Sequence, residues 1–366
     1  MGAELWGGAD GGARFHARAA VRGNAAPRVA APGPGTGWRL DQAQVEAALG
    51  AWAEEVLARV PEPAAEGEGQ EKREGVAIDG KRLRGSHKQG AAGTHLLSAV
   101  SQRLGVTLGQ EAVDDKTNEI TAVQAVLRRL VLEDDEAEAE AFFASPVQAV
   151  LRRLVLEGRV ITVDALLTQR AVAQTIADGG GAYMMVAKDN QPGLRHGITA
   201  VLATPAHVPA TRPLRHAQTL DHGHGRLERR AATVRALLPG DCDWPDARQV
   251  FRIERRRIRL TTGEVSTEVI EGVPNLTADE AAPRDILRFL RDHWRIENGA
   301  HWVRDVTFDE DRSQVRCGAI PGVMAAVRSA AIGLLRATGA TNIAAACRRT
   351  AAQPWLALAL FGITRE

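Results

Sequence analysis

Two short β-branched runs in this chain each end on an aspartate: VAID at 76–79 and VITVD at 160–164. Runs of that length, rich in valine and isoleucine and closed by an acid, predict buried strands that deliver a carboxylate at their C-terminal ends. A third carboxylate, Glu297, lies in HWRIENG (293–299), a helical stretch that carries Arg, His and Trp. The order strand-Asp, strand-Asp, helix-Glu demands a fold in which distant segments bring three acids together.

The elements around these acids alternate. Strands are expected at 76–79, 94–102 and 105–113, the last two joined by a short turn at 103–105. ITAVQAVLRRLVLE (120–133) has apolar residues at i, i+3, i+4, i+7 and i+8 and predicts a helix. A strand at 159–164, a helix over 168–178, a strand at 182–188 and a helix from about Gln191 follow. Residues about 214–273 differ: alternating or β-branched runs separated by turn residues predict a β-rich insertion before Glu297, with helices after it. The pattern describes an α/β fold, a mixed sheet of ribonuclease-H-like type with flanking helices.

VQAVLRRLVLE occurs at 123–133 and again, letter for letter, at 147–157, with an acidic, alanine-rich spacer between the copies. Two units are too few for a solenoid, so the repeat reads as a tandem duplication of 24 residues (134–157). Both copies carry the same amphipathic face and compete for one groove; one is expected to dock and the other to be displaced. Upstream, 1–40 is a low-complexity, disordered N-terminus, and 41–74 holds a helix and a polar linker, leaving one domain over 75–366.

Bulk composition excludes more than it selects. The 45% hydrophobic and 25% charged residues are ordinary for a globular protein. A formal net charge of +1 provides no global field, so any nucleic-acid contact depends on local patches such as KRLRGSHK (81–88), 226–230 and RIERRRIR (252–259). Three widely spaced cysteines without a CxxC argue against a disulfide scaffold or structural zinc. The sequence predicts no membrane span and no signal-peptide core, and the expected location is the cytoplasm.

Phosphodiester chemistry uses hard cations, and Mg²⁺ needs only two or three carboxylates because it keeps several waters. Asp79, Asp164 and Glu297 meet that demand if their segments converge. Taken singly, a strand-end aspartate more often caps a turn. Lys188, Asn190 and Gln191 follow a strand end and are candidates to contact phosphate, an ordinary polar loop being the alternative. Arg295, Asn298, His301 and Trp302 lie at helical spacings near Glu297; Arg suits phosphate and Trp suits stacking on an unpaired base, while burial in a core is as good a reading for Trp294 and Trp302. His222 and His224 lack a third nearby ligand and read as a turn. RIERRRIR is either a backbone-tracking strand or a solvated face.

Several separated pieces carry a more specific signal: AIDGKRLRGS (77–86), HLLSAVSQRLGVTLGQEAVDDKTNEI (95–120), VITVDALLTQRAVAQ (160–174), YMMVAKDNQP (183–192), HGRLERR (224–230) and HWRIENGAHWVRDVTFDEDRS (293–313). Over about 75–366 the chain resembles the DDE transposases of bacterial insertion sequences, in the branch that includes the H-repeat-associated proteins. That resemblance implies Asp79, Asp164 and Glu297 as the catalytic, metal-holding triad with two Mg²⁺ (or Mn²⁺) ions. It implies double-stranded DNA, both element ends and target, as substrate, a homo-oligomer on the DNA, and no membrane. Lys81 and Arg84 join the expected DNA contacts. The implied reaction is metal-dependent cleavage at element ends followed by strand transfer; the alternatives are a repurposed DNA-binding relative and a metal-dependent nuclease.

Two departures from the family pattern stand out. The family's N-terminal helical region is matched only near 41–60, and the duplication is foreign to it. Where related transposases place Tyr, Arg and Lys around the glutamate, this chain has Leu290, His293 and Arg304.

Overall fold

The computed structural model describes residues 42–60, 73–87, 93–113, 148, 150–152, 154–205, 207–208 and 211–360. They belong to two compact units, residues 40–339 and a unit formed by 1–39 with 340–366.

Nine strands of the larger unit form one mixed sheet in the order β3-β2-β1-β4-β5-β9-β8-β7-β6. Strands β1 (Glu74–Arg82), β2 (His95–Ser101) and β3 (Thr107–Val113) are an antiparallel meander. β4 (Arg159–Val163) pairs parallel with β1, and β5 (Ala182–Ala187) pairs parallel with β4. Every residue of β4 is buried, as a continuous β-branched run requires when helices cover both faces.

The two faces can be read from strand alternation. Val76, Ile78, Ile161, Val163, Tyr183 and Met185 enter one core. That core also takes Val172, Ala173 and Ile176 of α2 (Arg170–Asp178) and Leu194, Ile198, Val201 and Leu202 of α3 (Pro192–Ala203). Val160 and Met184 point the other way, into a second core with Ile286, Leu287 and Phe289 of α4 (Pro283–His293).

The expected β-rich insertion is β6 (Arg215–Gly223), β7 (Arg226–Ala236), β8 (Gln249–Arg259) and β9 (Val265–Pro274). It is no separate layer: β9 pairs antiparallel with β5 from Met184↔Pro274 to Ala187↔Glu271, so the insertion extends the sheet. His224 and Gly225, at φ 50° and 70°, make the β6–β7 turn, the left-handed pair that a two-residue hairpin favours. This places His224 in the turn that its sequence predicts.

Helix α1 (Gln42–Arg59) does not stand outside the domain. Ala53 and Leu57 enter the first core, and Arg103 donates to the free carbonyls at its C-terminal end, Leu57 O at 3.0 Å and Val60 O at 2.8 Å. The compact unit therefore begins at residue 40, not 75.

Of the duplicated segment, the first copy and the predicted helix 120–133 lie outside the described residues. The second copy is docked: Val150, Leu151, Leu154 and Leu156 are buried in the first core, and Gln148 Nε2 donates to Thr175 Oγ1 of α2 at 3.0 Å. It leads directly into β4.

After α4 come a π-helical segment (Ile296–His301), α5 (Trp302–Val306) and α6 (Ile320–Ala337). α6 is long and apolar enough to cross a membrane by length and composition, but half of its 18-residue window is buried inside the fold, as for a core helix. In the smaller unit, α7 (Ile343–Ala352) is capped by Asn342, whose Oδ1 accepts from Ala345 N at 2.9 Å, and α8 (Pro354–Leu360) follows.

Candidate active site

The register of β1 and β4 decides where the first two acids lie. Ile78 pairs with Val163, so Asp79 and Asp164 are each one step beyond the same rung, at the C-terminal edge of neighbouring parallel strands. Continuing the alternation, both carboxylates leave the sheet on the face opposite Ile78 and Val163. That is the face on which Ile296 and Ala300 pack against Ala77 and Val100. These two residues clamp the π-helical segment onto β1 and β2 and bring the neighbouring Glu297 to the same side. π-Helical turns break the regular helix ladder and are frequent at functional sites.

Asp79 is the most perturbed of the three. Burial, with added repulsion from Asp164 and Glu297, pushes its carboxyl up from the ordinary carboxylate range to about 7, although Gly80 N donates to Oδ1 at 2.8 Å. Burial also raises Asp164, opposed by the Leu167 and Leu166 amides and by the positive charge of Lys188; Leu167 N donates to Asp164 Oδ1 at 3.0 Å. Glu297 is exposed. The three acids thus share one electric field, and that field is short of positive charge.

His301 lies one helical turn beyond Glu297, its Nδ1 3.6 Å from Asp79 Oδ2. Burial, with the charges of Arg304 and Lys81, lowers its pKa to about 3, so it is neutral and forms no ion pair with Asp79. Its Nε2 is buried with no hydrogen-bond partner among the described residues.

The remaining expected contacts separate into open and occupied side chains. Lys188 is exposed beside Asp164. Arg84 is 80% exposed, with Asp311 Oδ2 3.7 Å from its Nε. Arg295 donates one nitrogen to Gln102 O at 2.9 Å, with the rest of its side chain in solvent, and Asn298 donates to Trp294 O at 3.2 Å. Trp294 and Trp302 are 49% and 56% exposed, which corrects the reading of both as core residues.

Lys81 is different. It is buried, and its Nζ donates to both oxygens of Asp305 at 2.6 Å, so its charge is spent inside the fold. Asn190 and Gln191 also turn inward: Asn190 Nδ2 donates to Ala165 O at 2.7 Å and Gln191 Nε2 to Thr168 O at 3.3 Å. Thr168 in turn donates to Asp164 O at 2.9 Å and Val186 O at 2.8 Å. The loop after β5 therefore braces the loop that carries Asp164. An Asn-Gln pair directly before a helix-starting proline was the only local hint of that role.

The residues at the family's Tyr, Arg and Lys offsets are interior. Leu290 packs on the second core, and His293 Nδ1 lies 2.8 Å from Thr162 Oγ1. Arg304 is 1% exposed, bound to Glu310 Oε2 at 2.7 Å, and Glu310 also holds Arg328 at 3.2 Å.

The donor set suits a hard divalent cation. It consists of carboxylate oxygens alone, and two of the carboxyls are held above their ordinary range by burial and mutual repulsion. As placed they are not yet a closed ligand set: among the described residues no three His, Cys, Asp or Glu side chains are grouped so as to hold a metal ion.

A family model described as "Transposase DDE domain" matches residues 70–320. The chain belongs to that family. The DDE domain is 29% identical over 267 residues to "Putative transposase YncI" of Escherichia coli O157:H7, covering 71% of this chain and 61% of that protein. It is 28% identical over 283 residues to "H repeat-associated putative transposase YhhI" of Escherichia coli K12, covering 71% of this chain and 63% of the relative. A protein of Xanthobacter autotrophicus named only by its place in the dhlA 3′ region is 32% identical over 209 residues, covering 56% of this chain and 61% of its own length. The DDE domain thus spans about three fifths of the curated relatives it matches. Transposase function at the level of the family follows from these matches.

Proposed function

We propose that this chain is an insertion-sequence DNA transposase whose catalytic domain is built on a ribonuclease-H-like sheet. The strand order β3-β2-β1-β4-β5, with antiparallel β1–β3 and parallel β1, β4 and β5, supports that fold. The observation that carries the functional reading is the shared edge of Asp79 and Asp164, joined electrostatically by Glu297.

Asp79, Asp164 and Glu297 would hold two Mg²⁺ (or Mn²⁺) ions. When bound, such ions stabilise the charge that develops on the attacking and leaving oxygens of a phosphodiester. Water attacks phosphorus at the element end, the P–O3′ bond breaks, and a 3′-hydroxyl is released. That hydroxyl then attacks a target phosphodiester, so one P–O bond forms as another breaks.

The protein side chains position the DNA for both steps. Lys188, at the mouth beside Asp164, supplies a cation for a phosphate. Arg84 and Arg295 extend the positive rim, and Asn298 lies on the same helical segment as Glu297. Trp302, with its indole in solvent, is free to stack on an unpaired base. His301 stays neutral and fills the floor under Asp79. Asn190 and Gln191 hold the Asp164 loop instead of touching DNA. The working form is a homo-oligomer on paired double-stranded ends.

The test is a reaction of the full chain with duplexes carrying the inverted repeats that flank its coding region, with and without Mg²⁺. Strand-transfer products support the proposal. Hydrolysis without joining reduces the protein to a nuclease, and DNA binding without either reaction contradicts the catalytic reading.

A further inference from the structure

The far end of the β6–β9 ribbon carries a second concentration of positive charge. There the two hairpin turns are bonded side by side, Leu260 N donating to Gly225 O at 2.9 Å. Between them lies a cavity of about 280 Å³ whose lining includes Arg226, Arg257 and Arg259 against a single carboxylate, Glu264. Three guanidinium groups against one acid leave two positive charges in excess.

The backbone forces this excess. Arg226 and Arg259 are directly opposite each other across β7 and β8, an arrangement that is destabilising for like charges. One rung-pair further in, Arg230 and Arg255 also face each other, but Glu228 lies between them and binds Arg255 Nε at 2.7 Å. The outer pair has no such clamp. Arg226 Nε is 4.0 Å from Glu228, and Arg259 meets Glu264 at 3.3 Å with both side chains 63% exposed, a pairing worth little in water. Arg257 binds Glu268 at 3.0 Å with one terminal nitrogen, yet its Nε is buried with no hydrogen-bond partner among the described residues. An anion with several acceptor oxygens would satisfy all three.

The ribbon also points the right way. β5 runs parallel to β1 and β4, and its pairing with β9 ends at Ala187↔Glu271. From Glu271 the strand continues to Val265, beyond the C-terminal end of β5 and so beyond the edge that carries Asp79 and Asp164. Six residues at about 3.4 Å each project the ribbon by roughly 20 Å, the span of about six nucleotides along one DNA strand.

We propose that the Arg226–Arg257–Arg259 pocket binds a backbone phosphate of duplex DNA lying across the carboxylate edge, as a second anchor away from the scissile bond. The inference rests on the reading of this chain as a DNA transposase. It is tested by binding, not by cleavage, so the two fail separately: loss of cleavage in Asp79→Asn reports on the carboxylate site and leaves the pocket's readout untouched.

The experiment measures binding of a duplex of arbitrary sequence to the full chain by fluorescence anisotropy between 50 and 200 mM salt. Arg226→Gln/Arg259→Gln is expected to weaken binding about tenfold and to lower the slope of log K against log salt by about 1.8, the value for two phosphate charges lost. Wild-type affinity and slope in a variant with an unchanged circular dichroism spectrum would overturn the proposal. If the double variant does not fold, Glu264→Gln decides: removing the competing carboxylate should tighten duplex binding about two- to fivefold, and unchanged or weaker binding would overturn it. Inorganic phosphate is the second arm. Phosphate that binds the wild type but not the double variant, with duplex binding unchanged between them, assigns the pocket to the free ion and overturns the DNA reading.

Discussion

Lys81 Nζ lies 2.6 Å from Asp305 Oδ1 and shares the other oxygen at the same distance, tying two distant parts of the active site together. Lys81 is two residues past Asp79 on β1, and Asp305 is eight residues past Glu297 on α5. The pair therefore fixes the helix that carries the glutamate against the strand that carries the first aspartate. It is mostly buried, at 8% and 30% exposure, so it gains more than a surface ion pair and leaves an uncompensated charge if broken.

Removing one partner should show this. Lys81→Met is expected to destabilise the fold by about 2–4 kcal/mol in urea unfolding and to reduce cleavage at least tenfold at temperatures where the variant is folded. Duplex affinity should change much less, because the lysine does not face solvent. A variant that loses DNA affinity while keeping its stability would instead mark Lys81 as a DNA contact.

Asp79 makes stability depend on pH in a defined direction. Its carboxyl titrates near 3.8 in the unfolded chain and near 7 in the fold, so the folded state holds the proton more tightly. The stabilisation is present in full below pH 3.8 and is lost as pH rises through 7. Asp79→Asn cannot lose it. In divalent-free buffer the variant should melt higher than the wild type at pH 8, by an amount on the order of 3 kcal/mol, with the difference shrinking toward zero near pH 4. Equal melting temperatures at pH 8 would show that Asp79 is not destabilised by its neighbours.

Cation and proton compete for the same acids, so Mg²⁺ should bind more tightly as pH rises from 6 to 8. Calorimetric titration of the wild type should show proton uptake by the buffer on binding and a higher melting temperature with Mg²⁺. Asp164→Asn should show neither effect. Persistence of both in that variant would move the ion to other ligands.

Asn190→Ala removes the donor to Ala165 O and loosens the loop that begins at Asp164. A stability loss of about 1–2 kcal/mol is expected, together with weaker Mg²⁺ binding and unchanged duplex affinity. Lower duplex affinity at unchanged Mg²⁺ affinity would return Asn190 to the DNA.

Arg304 is the one basic residue left at the family's offsets, and its environment is structural. Arg304→Met breaks a buried triad with Glu310 and Arg328 and should cost about 3–5 kcal/mol. A variant that folds with normal stability but loses only strand transfer would contradict that role.

Much of this architecture was legible because local pattern and final structure agree. The β-branched runs before Asp79 and Asp164 became buried strands, and the alternating segments after residue 214 became β6–β9. Register was not legible. Nothing local to VAID or VITVD says that Ile78 pairs with Val163, because that pairing is decided by cores assembled from elements far apart in the chain. The same limit applies to the charged side chains. Lys81, in a basic run, looked free for phosphate until Asp305 arrived from 224 residues away. Asn190 and Gln191 looked like a polar loop until their carbonyl partners were in place. Trp294 and Trp302 miss the core because the apolar face of their helical segment is supplied by Ile296, Ala300 and Val303 instead.

The central claim is that Asp79, Asp164 and Glu297 act as one site. Its most direct test compares Mg²⁺-dependent cleavage of terminal-repeat duplexes by the wild type and by Asp164→Asn, whose strand follows the docked second copy of the duplication. The account predicts that Asp164→Asn binds the duplex as the wild type does and produces no cleaved strand. Cleavage by Asp164→Asn at the wild-type rate would contradict it.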